Sequence, residues 1–138
     1  MAYSKIVAGA GGGSAEAIAA NSLSVANGDM ISLTTGFAAK AVAASTAISG
    51  IANGTKTYTA DNQTVAKAKV NYLRVIPRET ILEIETSADA TQANVGRYFT
   101  LTAGQKVDVA TVATAKGVLP LMMVEYVSAT KSRFVAVQ

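Results

Sequence analysis

Glu83 and Glu85 stand two residues apart, the only carboxylate pair at that spacing in the chain. On an extended strand this spacing turns both side chains to one face. Two carboxylates that share a face can divide the acid and base roles of a hydrolysis when one of them is held protonated. Here the alternation of residues 80–86 puts Leu82 and Ile84 inward and leaves the glutamates on a polar, hydrated face. Neither carboxyl then has a reason to keep its proton. Opposite charges on adjacent strands, Lys67 and Lys69 among them, would account for the pair as cross-strand partners. The usual reagents of neutral-pH chemistry are missing altogether, because the chain has no His and no Cys. That excludes an imidazole base, a thiolate nucleophile, a disulfide and a sulfur-bound metal. Asp29, Asp61, Asp89 and Asp108 are far apart in sequence and adjoin turn residues, where Asp caps the backbone. A calcium loop needs its oxygen ligands close together. The expectation is a protein that is not an enzyme and carries no cofactor or metal.

Other motifs fail on spacing or context. The run from Gly9 to Ser14 resembles a phosphate-binding glycine turn, but counting from Gly9 puts Ser14 where the third glycine belongs. Asp29, at the distance of a ribose-binding acid, lies in an Asn27-Gly28-Asp29 turn. Between Gly50 and Lys56 the lysine falls one residue late for a nucleotide loop. Lys67, Lys69, Arg74 and Arg78 form the densest basic stretch, with Tyr72 the sole aromatic among them. A single-strand-binding platform interleaves several aromatics with its cations, so no direct contact with nucleic acid is expected. A membrane span needs about 18 successive apolar residues. The sequence contains no such run, and no membrane contact is expected.

The elements that must position these residues read as β. The chain has 138 residues, half of them apolar and 15% charged, with a net charge of +3. Its apolar half is built from 27 Ala and 15 Val against 7 Leu and 3 Phe. Alanine buries little area, so the core of a lone subunit would be thin, and association of copies is expected to cover part of the surface. Residues 1–22 read as an N-terminal arm: a Gly/Ala run, then a short helical stretch capped by Ser14 and ended by Asn21. Residues 23–138 read as one β domain. Strands are predicted at 30–34, 37–42, 48–52, 56–59, 65–76, 80–86, 96–101, 118–127 and 133–137, with a helix as the competing reading over the Ala-dense residues 38–47. Asn53-Gly54 predicts a hairpin between its flanking strands. Turn signals at short intervals point to an all-β fold, a small antiparallel barrel or sandwich of about nine short strands with a flexible Gly/Ala-rich arm.

Two runs carry a family resemblance. Asn27-Gly28-Asp29-Met30-Ile31-Ser32-Leu33 with Thr35-Gly36, followed by Ala43-Ala44-Ser45-Thr46-Ala47-Ile48-Ser49-Gly50-Ile51-Ala52, resembles the opening of tailed-bacteriophage capsid decoration (cement) proteins. The later β pattern, with Val95-Gly96-Arg97-Tyr98, is similar to the same all-β plan. The functional analogues are the lambda-type head-decoration proteins. The resemblance implies a virion structural protein on the outer surface of the capsid that ties neighbouring subunits of the major capsid protein together. It also implies a homo-oligomer, most often a trimer, and an arm that orders on the shell. Tyr3, Lys5, Ile6 and Val7 would be the arm's contact residues. A β-rich phage fibre or adhesion module is the alternative.

Overall fold

A computed structural model describes residues 4–8, 11–66 and 68–138. Among them are twelve strands: β1 (Ser4–Ala8), β2 (Gly11–Ile18), β3 (Ser24–Val25), β4 (Met30–Thr34), β5 (Phe37–Lys40), β6 (Gly50–Ala52), β7 (Lys56–Thr57), β8 (Lys69–Val75), β9 (Ile81–Glu85), β10 (Tyr98–Phe99), β11 (Leu121–Tyr126) and β12 (Lys131–Ala136). They form two five-stranded antiparallel sheets, packed in a sandwich-like arrangement that is not a closed barrel. The front sheet runs β1-β9-β12-β11-β10 and the second runs β2-β8-β6-β4-β5. A separate ribbon pairs β3 with β7.

Residues that the sequence reading set apart as an arm are part of both sheets. β1 pairs with β9, and β2 pairs with β8. The Ala-rich stretch after Ser14 is therefore extended, not helical. Its pairing to β8 buries Ala15 and Ala17 in part against Tyr72 and Val70, a tertiary gain that outweighs the small intrinsic helix preference of alanine. Tyr3 lies outside the described residues. The Ala-dense residues 38–47 begin as β5 and continue as irregular chain, so the helical alternative is not adopted.

The β4–β5 hairpin follows directly from its turn. Thr35 and Gly36 both have positive φ (50° and 87°), and Thr34 pairs with Phe37, the two-residue geometry that suits twisted strands. Asn53-Gly54 behaves differently. β6 pairs with β4 and β8, and β7 pairs with β3, so the expected hairpin across this turn does not form. The turn is latched to the Asn27-Gly28 turn instead. Gly54 N–H donates to Asn27 Oδ1 at 2.9 Å, and Asn27 N–H donates to Thr55 Oγ1 at 3.0 Å. The chain thereby leaves the second sheet and enters the ribbon.

The second sheet is buried on both faces. Met30, Ile51 and Val75 point to the front sheet, where they meet Leu82, Ile84, Phe99, Leu121, Met123 and Phe134. Ile31, Ala52, Val70 and Tyr72 point the other way, into a second cluster with Ala19, Ala38, Leu23, Val25 and Tyr58. This second cluster is enclosed because the sheet curls. Just past β2, Ala19 meets Ala38 of β5 in a parallel bridge, and Ala20 N–H donates to Ala38 O at 2.9 Å. Small side chains permit that close approach. Alanine in this protein thus lines the inside of a tightly bent sheet, which gives part of its abundance an internal cause.

Candidate interaction surfaces

On β1, Lys5 lies opposite Glu83 on the outer face of the front sheet. Ile6, opposite Leu82, alternates to the other face and packs against the inter-sheet core. Val7 is half-buried. Of the predicted contact residues that are described, Lys5 is thus the exposed one, and Ile6 is already engaged within the fold. Both border a hollow of about 280 Å3 with Asn27, Ile51, Asn53 and Leu73. Leu73 is 39% exposed there, a large apolar side chain beside the edge strand.

The glutamate pair sits in a row of charges that crosses four strands. Lys5 (β1), Glu83 (β9), Arg133 (β12) and Glu125 (β11) are successive cross-strand neighbours, alternating in sign. Arg133 Nη1 lies 3.0 Å from Glu125 Oε1, and its Nε lies 3.8 Å from Glu83 Oε2. Glu85 is opposite Lys131 and 3.9 Å from Lys106 Nζ. Among the described residues, Arg133 pairs with Glu83 and Lys106 with Glu85. Lys69 belongs to β8 in the other sheet, and Lys67 lies outside the described residues. Glu83 is also less hydrated than the alternation suggested: its side chain is 14% exposed, shielded by the long Arg133 chain beside it. Each carboxylate has a cation across the strand, which suits a structural ladder.

A polar clasp holds the start of β4. Asp29 is buried, accepts the Ala26 N–H at 2.8 Å and lies 3.4 Å from Lys40 Nζ. Beside it Gln105, also buried, reaches in from the loop after β10. Its Oε1 accepts the Met30 N–H at 2.9 Å, while its Nε2 donates to Met30 O at 2.7 Å and Ala41 O at 3.0 Å. The side-chain amide does what a neighbouring strand would do for residues at the end of the sheet. Asn62 plays the same part elsewhere. From a π-helical turn, Asn62–Ala66, its Nδ2 donates to Ala19 O and Ala68 O at 2.9 and 3.0 Å. The predicted strand at 65–76 accordingly begins only at Lys69. Periodicity did not single out Gln105 or Asn62, because an amide's role as a strand substitute depends on which distant carbonyls surround it.

The aspartates are not gathered into a group with other acids: among the described residues no cluster of three or more metal-binding side chains occurs. Of the tyrosines, Tyr58 is buried and donates its hydroxyl to Lys69 O at 2.9 Å. Burial raises its pKa above the ordinary tyrosine value. Tyr72 is buried over β6. A Cβ at Gly50 would fall 2.3 Å from Tyr72 Cδ2 and 2.5 Å from Leu73 O, so only glycine admits this ring and this strand spacing.

No family model, curated protein or solved structure matches this chain.

Proposed function

We propose that this chain is a virion structural protein, a cement protein that binds the outer surface of a tailed-phage head and ties neighbouring major capsid subunits together. The observation that supports the reading is the coincidence of the resemblance with one continuous structural strip. Asn27 to Gly36 supply the capped turn, β4 and its hairpin turn, and Ala43 to Ala52 supply the approach to β6 and β6 itself. This strip forms the middle of the doubly buried sheet, where a sequence signature for a shared body plan would lie. An edge strand, β1, with exposed Lys5 and Leu73 close by, offers a lateral face for a shell subunit. Many copies, each weakly held, would stay bound by engaging several shell subunits at once.

The test is co-sedimentation of purified protein with phage heads stripped of their outer proteins, read beside the solution mass. Saturable binding at a fixed ratio to capsid subunits is the expected result. Absence of association with the heads would overturn the proposal and favour a fibre or adhesion module.

A further inference from the structure

The curled sheet is closed at one end and open at the other. At the closed end, Leu23, Val25 and Tyr58 cover the interior. At the open end, the inner face runs out into a hollow of about 410 Å3 whose lining includes Leu33, Ala47, Tyr72, Arg74, Ile76 and Pro77. The register explains its shape. Ile31, Gly50 and Arg74 form one row across β4, β6 and β8. Gly50 has no side chain, and the Tyr72 ring fills that space, so Tyr72 makes the floor. Leu33, two residues beyond Ile31 on the same face, forms one wall and is 42% exposed. A second hollow, with Val42 and Ala44, begins on the other side of Leu33.

Among the described residues of this lining Arg74 is the only charged side chain, and Ser49 and Gln138 are its uncharged polar members. Arg74 is exposed, and among the described residues it has no ion pair, whereas Lys40 and Lys106 each have one and Arg133 has two. A mainly apolar trough with one guanidinium is complementary to a group that is aliphatic in one part and anionic in another. The trough is open to solvent, so its ligand contributes one face and keeps the other in water. That fits an extended protein segment better than a free amphiphile, whose whole chain needs cover. Leu33 lies two strand spacings across and two residues along from Arg74, about 12 Å between their backbone positions. Alternate side chains of an extended segment lie about 7 Å apart on one face, within the reach of an arginine side chain.

We propose that this open end is a docking site for an extended segment of a partner protein that presents an aliphatic side chain and, two residues away, a carboxylate. The reading stands apart from the capsid proposal and does not require it. The probe is acetyl-Ser-Leu-Ser-Glu-Ser-amide, titrated into the 15N-labelled full-length protein and followed by two-dimensional NMR. Saturable shifts confined to the amides near Leu33, Ser49, Tyr72 and Arg74 are expected. Arg74→Glu should weaken that binding at least about tenfold and should favour the peptide with Lys in place of Glu. Leu33→Ser, on an exposed site that leaves the fold intact, should also weaken it. Absence of saturable shifts at millimolar peptide would overturn the proposal. So would equal binding of the Lys and Glu peptides, or tighter binding of dodecanoate at the same residues, which would assign the trough to a free amphiphile.

Discussion

The two apolar clusters are built on opposite principles. Between the sheets, the space is filled by large side chains: Phe99 and Phe134 meet edge to face with centroids 6.1 Å apart, surrounded by Leu82, Ile84, Leu101, Leu121 and Met123. Inside the curled sheet, alanine makes up much of the lining, and bulk comes from Leu23, Val25, Ile31, Val70 and two tyrosines. In the first cluster stability comes from area removed from water. In the second it comes from backbones brought close enough to hydrogen-bond, with buried amides completing pairings that the strands leave open. One cluster should suffer most from losing volume and the other from gaining it.

The sharpest way to break that contrast is Phe134→Ala. Removing a fully buried ring from the inter-sheet core should cost about 3–5 kcal/mol, measured by urea denaturation. A cost under about 1 kcal/mol would mean that the sheets do not share one packed core. Next comes Gly50→Ala. The added methyl collides with the Tyr72 ring and with the Leu73 carbonyl, and should cost about 1–3 kcal/mol. Because the backbone contact remains when the ring is trimmed, Tyr72→Leu should relieve only part of this, a non-additivity that a double-mutant cycle reads. Gln105→Ala follows, at about 1–3 kcal/mol, since it strips partners from Met30 and Ala41. Faster hydrogen exchange at the Met30 amide, with the β8 and β9 amides unchanged, would place the loss at the clasp.

The smallest effect is on pH dependence. The Tyr58 hydroxyl titrates higher in the folded chain than in the unfolded chain, because burial disfavours the phenolate. Its contribution is therefore complete below the ordinary tyrosine range and is lost as pH rises through the raised folded value. Tyr58→Phe should flatten the alkaline limb of the stability curve while losing the bond to Lys69 O. An unchanged limb would show that this hydroxyl stays hydrated.

The contrast also explains what the sequence made legible. Strands of the front sheet that place large residues on alternate positions, such as Leu82 and Ile84 between Ile81, Glu83 and Glu85, were evident from period two alone. β4 and its turn were evident from Met30 to Gly36. β2 was not, because glycine and alanine carry almost no periodic signal, and β1 is too short at five residues to show a period; the extended form of both is imposed by β8 and β9. The Asn53-Gly54 turn misled because its hydrogen-bond partner, Asn27, is local only in three dimensions. Of the candidate contact residues, Lys5 keeps an outward position, while Ile6 is drawn inward by the β1–β9 register, which the sequence alone does not contain.

The meeting of Ala19 with Ala38 makes side-chain volume the control on curvature. Replacing these alanines by valine would hold the two ends of the sheet apart and flatten it, which would widen the open trough and loosen its tyrosine floor. Small inward-facing residues here, with Ala38 directly opposite Leu33 in the β4–β5 register, act as a gauge for the size of guest the trough can seat, and drift at these buried positions would retune recognition without touching a single exposed atom.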